Sequence, residues 1–173
     1  MVSQADPTQV ALGELERVRE LLNTWLIPND TREPQDELTG WLVERSIPKR
    51  HWSEVRRLRD ELRITVEDSE QLEPIANGWV DRYRIVPSIS GDQLQYTAAP
   101  TVTGQLAVIV VGAIGDGSFS RLKACHDCRW VFYDNTRNGS KKWCMMNAAG
   151  PLSRGCGNIA KARRHRARVR SAG

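Results

Sequence analysis

Along the first 84 residues apolar positions recur at intervals of three to four, a spacing that predicts helices rather than strands. Ala11, Leu15, Val18, Leu22 and Trp25, widened by Leu12 and Leu26, outline a first helix that Pro28-Asn29-Asp30 ends. Pro34 suits a first helical position, and Leu38, Trp41 and Leu42 predict a second, shorter helix closed by Ile47-Pro48. Trp52, Val55, Leu58 and Leu62 mark one face of a third helix, with acidic and basic residues on the other. Ser69 is placed to cap a fourth, whose buried face is Leu72, Ile75, Ala76, Trp79, Val80 and Tyr83. The tryptophans here fall at helical spacing, which assigns them to packing.

After Arg84 the period changes. Residues 84–89 and 94–97 read as short strands around Ser90-Gly91-Asp92, a hairpin. The run from Gln105 to Ile114 is apolar throughout, so its period is silent; a buried strand and a buried helix fit equally well. Gly115-Asp116-Gly117-Ser118 then punctuates the chain and sets a predicted boundary between domains 1–118 and 119–173. Beyond it, Trp130 and Phe132 alternate with Val131 and Tyr133. Asn138-Gly139 is a type I′ turn signal, which predicts a return strand over 140–144. Cys156-Gly157-Asn158 opens a last helix rich in Ala and Arg. The expected fold class is therefore α+β and mostly α: a helical domain with a small hairpin, then a hairpin and a basic helix.

Cysteine usage adds the chemistry. All four cysteines of this 173-residue chain, Cys125, Cys128, Cys144 and Cys156, fall within 32 residues. A C-x2-C loop places two sulfurs on one ion, a returning chain delivers a third, and a cysteine at a helix N-terminus supplies a fourth. No basic-plus-apolar leader and no apolar run near the ~18 residues needed to span a bilayer is present, so the expected location is cytoplasmic, without a membrane role. There disulfides are disfavoured, and one structural Zn2+ is the leading reading. A redox pair at Cys125/Cys128 and inert thiols are the alternatives. His126 and His165 are spare ligands, expected to face solvent. No nucleophile–base constellation is recognisable, so no catalytic residue is assigned and the chain is read as a non-enzyme.

The net charge of +4 conceals a division. Residues 119–173 carry thirteen Lys/Arg against Asp127 and Asp134, a net of +11, which leaves −7 on residues 1–118. Such a module points to a polyanion, since phosphates neutralised by Lys/Arg release counterions. The plain alternative is a solvated tail, with Arg129, Lys141 and Lys142 balancing the formal −2 of a four-thiolate zinc site. The last helix has two basic stripes, Lys161/Arg164/Arg168 and Arg163/Arg166/Arg170, and little apolar surface. The candidate contacts are these six with Arg137, Asn138, Lys141, Lys142 and Asn158. Arg and Asn are the side chains that pair bidentately with guanine and adenine edges. Trp130, Tyr133 and Trp143 would suit single-stranded RNA. Residues 119–173 have little other apolar content, so zinc binding and folding of that part are expected to be one event.

The stretch from Arg121-Leu122-Lys123-Ala124-Cys125 through Cys128, Trp130, Phe132-Tyr133-Asp134 and Thr136-Arg137-Asn138 to Trp143-Cys144, Met146 and Cys156-Gly157-Asn158 closely resembles the CGNR zinc finger. That finger belongs to bacterial proteins described as stress-induced transcription regulators. Leu22-Asn23-Thr24, the Asp36–Leu42 segment and Asn77–Tyr83 resemble, more loosely, the ABATE domain that precedes it. The resemblance implies a helix over 105–114, a DNA-binding regulator, and an unidentified small-molecule or protein effector on the helical domain. The alternative is a ligand- or protein-binding module with no DNA role. Two departures stand out: eleven residues separate Cys144 from Cys156 where the family has about four, and Ile159 replaces the motif's final Arg.

Overall fold

The computed structural model describes residues 9–29, 31–145 and 155–171. Five helices build one core: α1 (Leu15–Leu22), α2 (Leu38–Glu44), α3 (Trp52–Glu67), α4 (Leu72–Tyr83) and α5 (Val102–Gly115). Val18, Leu22, Leu38, Leu58, Leu62, Trp79 and Val110 are fully sequestered in it, as the 3–4 spacing requires. The fold is α+β and mostly helical, with three small antiparallel pairs.

Several elements differ from their sequence reading. The first helix begins only at Leu15; Ala11 is buried but precedes it, and Leu12 is 72% exposed instead of widening the stripe. Trp25–Leu26 forms strand β1, paired with β2 (Gln35–Asp36), so Pro34 precedes a strand and not a helix. Asp36 makes the difference: its Oδ1 accepts the Leu38 N–H at 3.0 Å and starts α2 there. Asp68, not Ser69, accepts at the start of the fourth helical segment, through the Glu70 N–H. The apolar run becomes α5 because the Thr101 hydroxyl accepts the Gly104 N–H at 2.9 Å. Only glycine fits at 104, where a Cβ would stand 2.4 Å from the Ala99 carbonyl oxygen. Asp30, Met146, Gly150-Pro151 and Arg154 lie outside the described residues.

The exposed hairpin β3 (Val86–Ser90) and β4 (Gln93–Thr97) turns at Gly91, whose φ is +64°. In the C-terminal part, β6 (Val131–Tyr133) pairs with β5 (Leu122–Ala124) rather than with residues 140–144, which form no strand. Asn138-Gly139 still turns the chain, but the loop folds around Asp134. That buried carboxylate accepts the N–H groups of Thr136 and Lys141 and the Thr136 hydroxyl, so those groups are spent locally instead of on a ladder. The alternation along β6 serves two masters: Val131 and Tyr133 enter the helical core, while Phe132 and Trp130 pack with the cysteines. Leu122 and Ala124 join the same core. Apolar packing therefore continues across residue 118, and the 119–173 segment has more core than its composition suggested. Helix α6 (Cys156–Ser171) completes the described chain.

Candidate metal centre

The Cys125–Cys128 loop is closed by its own backbone. The Arg129 N–H donates to the Cys125 carbonyl at 3.0 Å, and the Cys125 N–H donates to the Trp130 carbonyl at 2.8 Å. Arg129 takes a left-handed φ of +62°, a conformation costing a side-chain-bearing residue about 1 kcal/mol. Arg63 offsets it by donating to the Arg129 carbonyl, and Glu67 pairs with the Arg129 guanidinium at 3.5 Å. Arg129 thus faces an acidic partner on α3. Cys144 arrives on the loop after the Asn138-Gly139 turn, held by the His126 N–H on the Lys142 carbonyl and by Gln9 on its own carbonyl. Cys156 opens α6, and the Gly157 N–H donates to Met145 O at 3.0 Å.

The four sulfurs converge, all lying within 4.8 Å of one another. Cys144 Sγ stands 3.6 Å from Cys128 Sγ and 3.5 Å from Cys156 Sγ. A tetrahedron with zinc–sulfur arms near 2.3 Å has edges of about 3.8 Å, so the donor set has the size of a ZnS4 site. All four are free thiols, whereas a disulfide would bring sulfurs to about 2.05 Å. Their mutual proximity splits the protonation states. A hydrogen bond from Cys128 holds Cys125 far below the usual thiol range, while Cys125 beside them pushes Cys128 and Cys144 up. To ionise together the four need a cation among them, and zinc supplies it, displacing the thiol protons. The site binds one structural zinc ion, and four thiolates close its coordination. His126 and His165 are exposed; His126 meets Trp143 edge-on with ring centroids 5.3 Å apart.

Residues from the helical part complete the centre. Asn29 Nδ2 donates to Cys156 Sγ at 3.0 Å. Asn23 grips β6 twice, its Nδ2 donating to the Val131 carbonyl and its Oδ1 accepting the Val131 N–H. Ile27 N–H donates to the Cys128 carbonyl at 2.8 Å. Asp127, buried between two ligands, accepts from Arg32 at 3.3 Å and from Arg163 of α6 at 2.7 Å. Asn29, Arg32, Arg63 and Asp127 were not legible as site residues: Asn29 reads as a helix stop and Arg63 as a polar-face charge. Asn23 is visible only in the loose resemblance of Leu22-Asn23-Thr24.

Of the candidate nucleic-acid contacts, Lys161, Arg163, Arg164, Arg166, Arg168 and Arg170 are exposed along α6, with Asn158 on its first turn. Arg163 is engaged by Asp127. Arg137, Asn138 and Lys142 are exposed on the loop after β6, and Lys141 is half-buried. Arg121 and Lys123 brace that loop through the carbonyls of Thr136 and Gly139. Tyr133 lies in the helical core and offers no stacking face; Trp130 and Trp143 are half-buried. No helix among the described residues is long and apolar enough to cross a membrane.

Searches of curated proteins and of solved structures return no match. The matching family model is the CGNR zinc finger, over residues 121–169, a span that contains all four cysteines and leaves out α1–α5. The C-terminal part of this chain is thus a zinc-binding finger of the CGNR type, clamped to the helical core by side chains that the match does not include.

Proposed function

We propose that the protein is a non-enzymatic transcriptional regulator that holds DNA phosphates with α6. The observation that carries this reading is the helix itself. Its first residue is a zinc ligand, it has six basic and no acidic side chains, and positions 161–170 are all exposed. A helix with so little apolar surface is ordered by the metal and the Arg163–Asp127 pair rather than by packing, and its exposed basic side chains suit a polyanion. Arg137 and Asn138, on the loop that Asp134, Arg121 and Lys123 brace, and Asn158, two residues after the ligand Cys156, are the candidates for base edges. The resemblance of the helical part to the ABATE domain supports an effector-responsive, stress-linked regulator. A shallow groove lined by Leu42, Trp52, Arg56 and Ile64 between α2 and α3 is the place such an effector would occupy. Four thiolates leave zinc no open position for catalysis.

The test is to mix zinc-loaded protein with fragmented genomic DNA, with RNA as competitor, and to sequence what is retained. Retention of duplex DNA at about 50 mM salt is expected. Retention of neither DNA nor RNA would replace this reading with a ligand- or protein-binding module carrying a cationic tail; preference for RNA would move it to single strands.

A further inference from the structure

Residues 85–115 hold a single charged side chain, Asp92, in a chain that is 27% charged; the average would place about eight there. Charge depletion is what the centre of an interface shows, and the fold buries only part of this segment: Ile85, Leu106, Ala107, Val110 and Ala113 enter the core. Hairpin β3–β4 and one stripe of α5 both reach solvent. Antiparallel pairing and the two-residue alternation put Pro87, Ile89, Leu94 and Tyr96 on one hairpin face. Tyr96 meets α5, its hydroxyl 3.4 Å from where a Gly115 Cβ would stand. The cross-strand pair Ile89 and Leu94 overhangs beyond it, 72% and 56% exposed.

On α5, Leu106, Ala107, Val110 and Ala113 face the core, while Gln105, Val108, Gly112 and Gly115 follow the opposite stripe at 3–4 spacing. A Cβ at Gly112 would meet nothing within 4 Å, and Gln105 is exposed, so the middle and start of this stripe are open, while Val108 is half-buried and Tyr96 approaches the Gly115 end. A helix apolar on every side is ordinarily buried on every side. A lone two-stranded hairpin is likewise marginal in water, and both outer edges of β3–β4 lack strand partners among the described residues.

We infer that this face, the Ile89–Leu94 overhang joined through Tyr96 to the outer stripe of α5, is where a second copy of the chain docks. Charge selects that occupant. In a two-fold contact each patch meets itself, so a charged patch repels its twin. The acidic 1–118 part at −7 and the basic 119–173 part at +11 disfavour self-pairing over much of the molecule, and this nearly neutral strip carries no such cost. The same neutrality offers nothing to a polyanion or a strongly charged protein.

Sedimentation velocity on the full-length zinc-loaded protein tests it. From a 19.5 kDa chain a dimer of about 39 kDa is expected at micromolar concentration, and it should persist at 1 M salt, because an apolar contact is not screened. Ile89→Lys and Leu94→Glu, both at exposed positions, should each raise the dimer dissociation constant about 10-fold or more, with helical signal and zinc content unchanged. Gly112→Glu, on the other half of the face, should do the same. Arg164→Gln in α6 should not. A monomer up to about 100 µM would overturn the proposal. So would a dimer that high salt dissolves, which would mean acidic-on-basic pairing, or one that all three face variants leave intact.

Discussion

At the scale of single residues, the protein is organised by polar side chains that mediate between its parts. Asn23 supplies both hydrogen-bonding groups that a neighbouring strand would otherwise give Val131, a residue with no solvent exposure. Asn23→Ala leaves the Val131 N–H without that partner; the carbonyl keeps Arg19 at 3.3 Å. A loss of about 2–3 kcal/mol in urea unfolding of the zinc-loaded protein is expected, the usual cost of orphaning buried backbone groups. A change below about 0.5 kcal/mol would show that the brace is dispensable. Asp36 does comparable work at the start of α2. Burial would raise its pKa, but Arg59, the Leu38 N–H and Arg56 outweigh that and bring it down to about 2. A carboxyl depressed on folding stabilises the native state above its unfolded value near 4, and that contribution disappears as pH falls towards 2. The shift corresponds to at most about 2 kcal/mol, less after solvent screening of a third-exposed group. Unfolding free energies measured between pH 5 and 2 should therefore fall less steeply in Asp36→Asn than in the parent. Equal slopes would remove Asp36 as a source of acid sensitivity.

At the scale of elements, the C-terminal segment divides in two. Strands β5 and β6 send Leu122, Ala124, Val131 and Tyr133 into the helical core, whereas α6 has only its first residues buried. Chelating the zinc should release α6 and the 135–145 loop while β5 and β6 stay docked. Hydrogen exchange would read this directly: amides of 157–170 should lose protection, those of 122–124 and 131–133 should keep it. Loss of protection over α1–α5 as well would mean that the metal holds the whole core. Much of this arrangement was legible in advance. The alternation of Trp130, Phe132, Val131 and Tyr133 marked a strand with two apolar faces, and Cys156-Gly157-Asn158 marked a helix start. The partner of that strand was not legible. Asn138-Gly139 is a sound turn signal, but it says nothing about Asp134, whose buried carboxylate captures the N–H groups the predicted ladder would have used. The period of 105–114 was silent for a similar reason: an apolar residue at every position carries no phase, and the Thr101 cap settled what periodicity could not.

For the whole molecule, the division of charge is what the proposed contact with a polyanion rests on. Besides Arg163, which pairs with Asp127, five basic residues of α6 are exposed. At about 0.9 per phosphate contact, log K for duplex DNA should fall against log salt with a slope near −4.5. Replacing Lys161, Arg164 and Arg168 together by Gln should flatten that slope by about 3 and weaken all sequences alike. A slope unchanged in the triple variant would place the contacts elsewhere. The zinc ligands, the −7/+11 asymmetry, the amphipathic faces of the helices and the basic character of α6 belong to the sequence by itself, because spacing, charge and period are local properties. Only the tertiary structure decided that Arg63 and Asn23 serve the finger, that Asn29 reaches Cys156, and that Asp127 fixes α6. Each of those contacts joins residues at least 36 positions apart, and a polar side chain looks the same in sequence whether water or another part of the chain satisfies it.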